Sequence, residues 1–579
     1  MHHHDFDNKL AMAITNLFLF SAHFLASKFS QSIANVSSFA SQLFYFWSLL
    51  SIFWFMQSKR VTLKTCTAFG KKMLCCFTPP LFMNFRFRTT PLPPGPKPWP
   101  LIGNLPEVLI NKPTHRWIHN LMNQIGTDIA CIRLGNVHVI IVTCPEISRK
   151  FLRENDAVFA SRPNCMSAEV VSNGFQAVFS RPLGSRWENT KKIISGHVLS
   201  PAKHHWLAGK RLEEADNLVR YVYGQCVGYD NTGMVNVRTV AQHFCGNVIR
   251  KMLFGRRYFG TGKEDGGPGV EEEEHLNAIF TMLEYLYSFG ISDYLPWLRR
   301  FDLDGHEKIT REATMVAGKY HDPIIEERIN QWEKGTKTEE EDLLDVLINL
   351  RDVNGNQLLS KDEIKGEVTE LTLAAVDNPS NALEWALAEM LNQPEILEKV
   401  VEELDRVVGK DRLVQESDIP NLNYIKACIR EAFRLHPFAP FNVPHVSMSD
   451  KIVSGYFIPK DSRVLLSRKA LGRNPNVWEE PLKFKPERHL KNDGAKVELK
   501  ESELRFISFS TGRRGCPGIM LGTSVTVMLF ARLLQGFSWE VPPNQSKIDL
   551  SEAGDSLFLA KPLVALAKPR LPENLYPVN

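Results

Sequence analysis

The stretch 509–518, FSTGRRGCPG, sets a single cysteine in a glycine-bearing loop with a proline directly behind it. Pro517 suits the first turn of a helix, where a missing N–H costs nothing. A helix starting there aims its backbone N–H groups and positive end at the Cys516 sulfur, and Arg513 and Arg514 add positive charge; both effects favour the thiolate. Gly512 and Gly515 let the backbone come close to something flat. With no partner Cys or His nearby, a zinc site is poorly supported. One thiolate can instead be the axial protein ligand of a haem iron, where electron donation from sulfur promotes O–O cleavage. The structural alternative is a tight loop with an incidental cysteine.

A second stretch, AAVDNPSNALEWALAEM over 374–390, carries Asp377-Asn378-Pro379 inside an otherwise strong helical pattern. Proline removes an N–H and clashes with the carbonyl four residues back, so the spacing predicts helices over 359–376 and 380–391 with a kink at Pro379, or a separation into two short helices. Asn378 can donate and accept hydrogen bonds through its amide but cannot act as an acid.

The elements that must position these groups are mainly helical. Apolar periodicity predicts helices over 208–227, 275–290, 307–334, 394–408, 423–436 and 517–535. Strand-like runs occur at 128–134, 137–143, 452–458 and 463–467. The segments 260–274 and 333–342 read as solvated charged loops. The expectation is a mainly α fold with small β-sheets, in one large domain over 107–579 with no internal repeat.

Residues 29–58 hold no charged side chain, and 36–56 is long enough to cross a bilayer. Lys59, Arg60, Lys64, Lys71 and Lys72 follow, which puts the rest of the chain in the cytosol by the positive-inside rule. The division is therefore an N-terminal extension over 1–28, signal-like or a second span, a transmembrane anchor over 29–58 and a basic, then proline-rich linker over 59–106. A cleaved targeting peptide is the competing reading of the anchor. Ten cysteines without a CxxC pair argue against a disulfide framework and for a reducing compartment. A net charge of +4 and no basic run interleaved with aromatics argue against nucleic acid as a partner.

The motif around Cys516 resembles the cytochrome P450 signature Phe-x-x-Gly-x-Arg-x-Cys-x-Gly, with Phe509, Gly512 and Arg514 at the matching places. Three further motifs follow the family's order. Glu431-Ala432-Phe433-Arg434 resembles the Glu-x-x-Arg pair, and Phe484-Lys485-Pro486-Glu487-Arg488 the segment whose arginine completes a Glu–Arg–Arg network. Trp187-Glu-Asn-Thr-Lys191 resembles Trp-x-x-x-Arg, with lysine in place of arginine. The resemblance implies the P450 fold, haem b ligated by Cys516, propionate contacts from Trp187, Lys191, Arg514 and His445, and a structural ion cluster of Glu431, Arg434 and Arg488. It also implies electrons from NADPH through a membrane-bound reductase, met by a basic face near Arg505 and Arg513, and residence at the endoplasmic reticulum membrane.

Most members carry an acid then a threonine where this chain has Asp377-Asn378-Pro379. That departure, together with FKPERHL (484–490), FNVPHVS (441–447) and DNPSN (377–381), resembles the plant amino-acid N-monooxygenases, which convert an amino acid to its aldoxime. The resemblance implies two N-hydroxylations followed by loss of CO2 and water, with phenylalanine or a branched-chain amino acid and O2 as substrates. Pocket walls are expected from Ser172, Asn173, Phe175, Phe441, Asn442 and Phe558. A carbon hydroxylase of a lipophilic metabolite and a haem carrier without turnover are the competing readings.

Overall fold

The computed structural model describes residues 90–228, 232–491 and 494–577. The extension, the anchor and the linker up to residue 89 lie outside the described residues.

The proline segment belongs to the main compact unit, which begins at Thr89. Cys131 donates its N–H to the Pro94 carbonyl (2.9 Å) and Phe457 to that of Pro91 (2.8 Å). A Cβ on Gly95 would lie 1.8 Å from the Cys131 carbonyl oxygen, so only glycine permits this approach.

The longer helices are α1 (Thr114–Ile125), α2 (Ser185–Ile193), α3 (Ala208–Val227), α4 (Val237–Phe254), α5 (Val270–Tyr285), α6 (His306–Glu333), α7 (Lys361–Asn392), α8 (Pro394–Val407), α9 (Asn423–Leu435) and α10 (Ile519–Gly536). The strands are β1 (Ile129–Leu134), β2 (Val137–Val142), β3 (Met234–Asn236), β4 (His445–Val446), β5 (Lys451–Val453), β6 (Tyr456–Ile458), β7 (Arg463–Leu466), β8 (Phe537–Glu540) and β9 (Val564–Pro569). They form sheets in the orders β1-β2-β7-β4, β3-β9-β8 and β5-β6. β2 and β7 run parallel and the remaining pairs antiparallel.

Helix α7 is the axis of the fold. Ser360 opens it with a capping box: its hydroxyl accepts from the Glu363 N–H (3.2 Å), and its own N–H donates to the Glu363 carboxylate (3.0 Å). Apolar residues on all sides then bury it, with Leu383, Trp385 and Leu387 fully enclosed. α4 makes the most extensive contact with it, and α9 and α10 also pack against it. α10 is long and apolar enough to cross a membrane, but it is mostly buried in this core.

Three expectations are corrected. The helices over 359–376 and 380–391 are one continuous helix, α7, with Pro379 inside it, which removes the two-helix alternative. Proline in a helix interior costs about 3 kcal/mol, and packing on both sides outweighs it. The Ser380 hydroxyl donates to the carbonyls of Val376 (2.8 Å) and Asp377 (3.0 Å), giving two of that turn's carbonyls a local donor. The helix expected over 275–290 is Val270–Tyr285, so the acidic end of the supposed solvated loop is its first turn. Acids at a helix N-terminus are favoured by the dipole. Glu272 in that turn is buried, ion-paired to Arg250 (2.5 Å) and bonded to His243 (2.6 Å). Finally, 452–458 is two strands, β5 and β6, turning at Ser454-Gly455, with both residues at positive φ.

Candidate active site

Cys516 lies between a one-turn 3-10 helix (Gly512–Arg514) and α10. Pro517 and Gly518 precede α10 as a turn, so Pro517 stands outside the first helical turn, a small correction. The loop closes on itself through the Cys516 N–H to the Phe509 carbonyl (2.9 Å). Gly512 takes φ +71°, and a Cβ there would meet the Leu152 carbonyl oxygen at 2.4 Å. Burial pushes the Cys516 thiol up, while the Gly518 N–H and the charge of Arg468 pull it down. The arginines expected to favour the thiolate are turned elsewhere. Arg513 pairs with Asp156 (2.9 Å). Arg514 gives its donors to the carbonyls of Ala160 (2.6 Å), Val178 (3.1 Å) and Arg181 (2.7 Å).

Those contacts tie the cysteine loop to the segment between residues 159 and 184. The same segment is clamped to α7 by buried acids. Glu367 accepts from Val178 N–H (2.8 Å), Glu370 from Phe179 N–H (2.7 Å) and Ser180 N–H (3.2 Å), and Glu363 pairs with Arg181 (2.9 Å). Trp187 on α2 donates its indole N–H to Val178 (3.0 Å) and lies under the Arg514 guanidinium, 4.1 Å from ring centroid to Cζ. Lys191, one helical turn on, reaches the Arg513 carbonyl and sits 5.2 Å over the same ring.

His445 is buried at the start of β4, with Nδ1 2.7 Å from the Phe159 carbonyl. Burial, then the charges of Arg162 and Arg514, hold it well below its usual range. A neutral ring bonded in this way spends its proton on Phe159, so His445 can donate to a propionate only as the imidazolium.

Two arginines here carry no local sequence signal. Arg162 is buried and donates to Phe179 (3.3 Å), Val443 (3.3 Å) and Pro444 (2.8 Å) carbonyls. Arg468 is buried, donates to the Ile507 carbonyl (3.0 Å), stacks 4.4 Å over Phe438 and has its Nε without a partner. Among the described residues Arg162, Arg468 and Arg514 share one oddity: each donates only to backbone carbonyls, Arg468 to just one, and none has a carboxylate in ion-pair range. Burial pushes Arg162 and Arg468 down to about 10 and Arg514 down to about 8. Buried cations need anions. A group with two carboxylates and a metal that takes a thiolate meets that need, so the residues present fit haem.

Behind Cys516, Glu431 on α9 is completely enclosed. Both its oxygens are engaged by Arg434 (2.8 and 2.7 Å), with Arg488 (3.0 Å), the Lys485 N–H (2.9 Å) and His489 (2.8 Å) completing the set. The structure thus brings Glu431, Arg434 and Arg488 together and adds His489. Phe509 meets Phe433 edge-on at 6.4 Å, linking this cluster to the cysteine loop.

On α7 Asp377 is buried, and its Oδ1 has no protein partner. Burial pushes its carboxyl up to about 7, against the charge of Arg468. Arg468 is thus a charge felt by both Asp377 and Cys516. The polar pocket candidates already carry hydrogen bonds within the protein. Ser172 spends its hydroxyl on Ala168 (2.5 Å) and Phe175 N–H (3.0 Å), Asn442 accepts from Leu466 N–H (2.7 Å), and Asn173 is exposed, donating to Asp362 (3.2 Å). Phe441 packs in the sheet-side core beside His119, 5.7 Å between ring centroids. Phe175 is half-buried at φ +62°. Phe558 is half-buried, 6.5 Å from Phe280. Arg505, expected on a basic reductase face, is paired with Glu501 (3.2 Å).

The profile described as Cytochrome P450 matches residues 93–567. The chain is 58% identical over 489 residues to a tryptophan N-monooxygenase of Prunus mume, covering 84% of this chain and 92% of that protein. It is 59% identical over 490 residues to isoleucine N-monooxygenase 1 of Lotus japonicus (84% and 91%). It is 56% identical over 503 residues to the tyrosine N-monooxygenase of Sorghum bicolor (87% and 89%). With a match running from the proline segment into the last strand, around a half-buried cysteine and nearby arginines that lack carboxylate partners, the chain belongs to the cytochrome P450 family of haem-thiolate monooxygenases.

Proposed function

We propose that this enzyme N-hydroxylates an L-amino acid twice and releases the aldoxime with CO2 and water. The observation that carries the proposal is the stretch Asp377-Asn378-Pro379 within continuous α7, where an amide stands in place of the hydroxyl expected of a carbon hydroxylase. The relatives support it, being named for N-hydroxylation of tryptophan, isoleucine and tyrosine. Those names span aromatic and aliphatic side chains, so phenylalanine and the branched-chain amino acids both stay within the proposal.

Haem would be held by Cys516, with Arg514 and Lys191 beside Trp187 offering charge to its propionates and His445 joining them only as the imidazolium, and it would supply the activation of dioxygen with electrons from NADPH through a reductase. The chain's own residues do the rest. Asn378 offers an N–H donor and a carbonyl acceptor, which suits an amine that must be held by its hydrogens and presented by its lone pair. Asp377, raised by burial to about 7, holds or releases a proton near neutral pH. Pro379 leaves the Ala375 carbonyl without its helical donor, adding an acceptor on the same turn. In this reading residues 29–58 anchor the enzyme in the endoplasmic reticulum membrane, with the catalytic domain in the cytosol. Membranes from cells expressing the chain, given reductase, NADPH and each protein amino acid in turn, should yield an oxime from at least one; no oxime and no Soret shift with any of them defeats the proposal.

A further inference from the structure

Past Pro379, α7 carries polar groups that the chemistry above does not use, in line with Asp377, which it does. Asp377, Asn381, Trp385 and Glu389 recur at intervals of four, so each adjoins the next along one stripe about 18 Å long. All four are buried. His436, just past α9, lies against the outer part of the stripe. Its ring stacks on Trp385 (centroids 3.9 Å apart, planes 4° apart), Nε2 is 2.8 Å from Glu389, and its carbonyl accepts from the Asn381 amide (3.3 Å). Three atoms in this row have no protein partner: Asp377 Oδ1, Asn381 Oδ1 and His436 Nδ1. The outer end opens into a cleft of about 470 Å3 lined by Arg116, Trp385, Glu389, His436, Arg473 and Glu552.

Buried polar atoms without protein partners are satisfied by water, and a water needs two to four of them. We propose that Asn381 and His436 hold a file of water leading from this cleft to Asp377, and that protons for oxygen reduction enter along it. The proposal rests on the monooxygenase reading but not on the substrate. Each oxygen insertion consumes one dioxygen, two electrons from NADPH and two protons; one oxygen atom enters the substrate and the other leaves as water. Asn378 cannot supply those protons, so Asp377 must be recharged from solvent after each transfer. Asn381 and His436 touch neither substrate nor cofactor in this scheme. They are positioning residues, with Glu389 fixing the His436 ring at the mouth.

The test uses the full-length enzyme with reductase. Asn381→Leu removes the inner anchor at similar volume, and His436→Phe keeps the stack on Trp385 while removing Nδ1. A thiolate-type absorbance of the reduced CO complex certifies each variant as folded. Both should lower kcat by about tenfold to a hundredfold, at the lower end of what proton transfer contributes, with KM within about twofold. The solvent isotope effect on kcat should rise, and a larger share of the NADPH consumed should appear as hydrogen peroxide. Glu389→Gln, a milder change, should move the same quantities less. Independently of turnover, a crystal structure of the wild-type enzyme should show ordered water bonded to Asp377 Oδ1, Asn381 Oδ1 and His436 Nδ1. Folded variants with unchanged coupling and isotope effect, or a dry row in the wild-type crystal, overturn the proposal. Wild-type enzyme that shows the waters but forms no oxime leaves the water path standing and strikes the N-hydroxylation reading alone.

Discussion

Replacing Glu431 by glutamine tests the cluster behind the cysteine loop. Burial alone would push this carboxyl up. The hydrogen bonds and charges of Arg434 and His489 outweigh that effect and hold it at about 2, against an ordinary value of 4.5. A carboxyl depressed in the folded state contributes stability that is complete above pH 4.5 and fades as pH falls toward 2. The shift corresponds to roughly 3 kcal/mol at neutral pH. A separate route gives a similar figure: Arg434 is fully buried, and stripping the partner from a buried pair costs about 3–5 kcal/mol. Unfolding entropy of about 2.1 cal/mol/K per residue, over the roughly 480 described residues, makes 3 kcal/mol a fall in Tm of about 3 °C. The assay is loss of the thiolate-type absorbance of the reduced CO complex on heating, at pH 7 and at steps down to about pH 3, inside the window where the contribution fades. Glu431→Gln should melt lower at pH 7, and the gap to wild type should narrow in acid as the wild type loses what the variant already lacks. A Tm within 1 °C of wild type at pH 7, or a gap that stays constant into acid, refutes the reasoning.

Other outcomes follow from the same geometry. Cys516→Ser should abolish the thiolate-type absorbance of the reduced CO complex. Pro379→Ala restores an N–H to α7 and should stabilise the protein by up to about 3 kcal/mol in denaturant melts, while reducing oxime formation. Gly512→Ala must place a Cβ 2.4 Å from the Leu152 carbonyl oxygen at φ +71°, so it should lower thermal stability and haem content together, by about 1–3 kcal/mol in the former.

Several of these sites were legible because their chemistry is local. The cysteine loop needs glycine at Gly512 for φ and close approach, and a single sulfur with no partner ligand, so ten residues carry the whole signal. Helices α3, α8 and α9 end within a residue of where their periodicity stops, because their amphipathic stripes are written along the chain. α4 gave no such signal: buried on nearly every side, it has no polar face to mark a period. A polar residue in an apolar run reads as a ligand-binding group in sequence, yet the Ser172 hydroxyl is taken up by the backbone at its own helix end, which no residue pattern foretells.

The sequence by itself determined the candidate metal ligand, the Glu–Arg–Arg set and the stretch Asp377-Asn378-Pro379, because residue type and order are enough to state them. Only the tertiary structure decided that Pro379 sits inside one unbroken helix, since burial on both sides outweighs a local breaking preference that no window of sequence can weigh. It alone gathered Arg162, Arg468 and Arg514, some 350 positions apart at the extremes, into a shell whose charges find no carboxylate. Charge balance is a property of neighbours in space, and chain order does not record who those neighbours are.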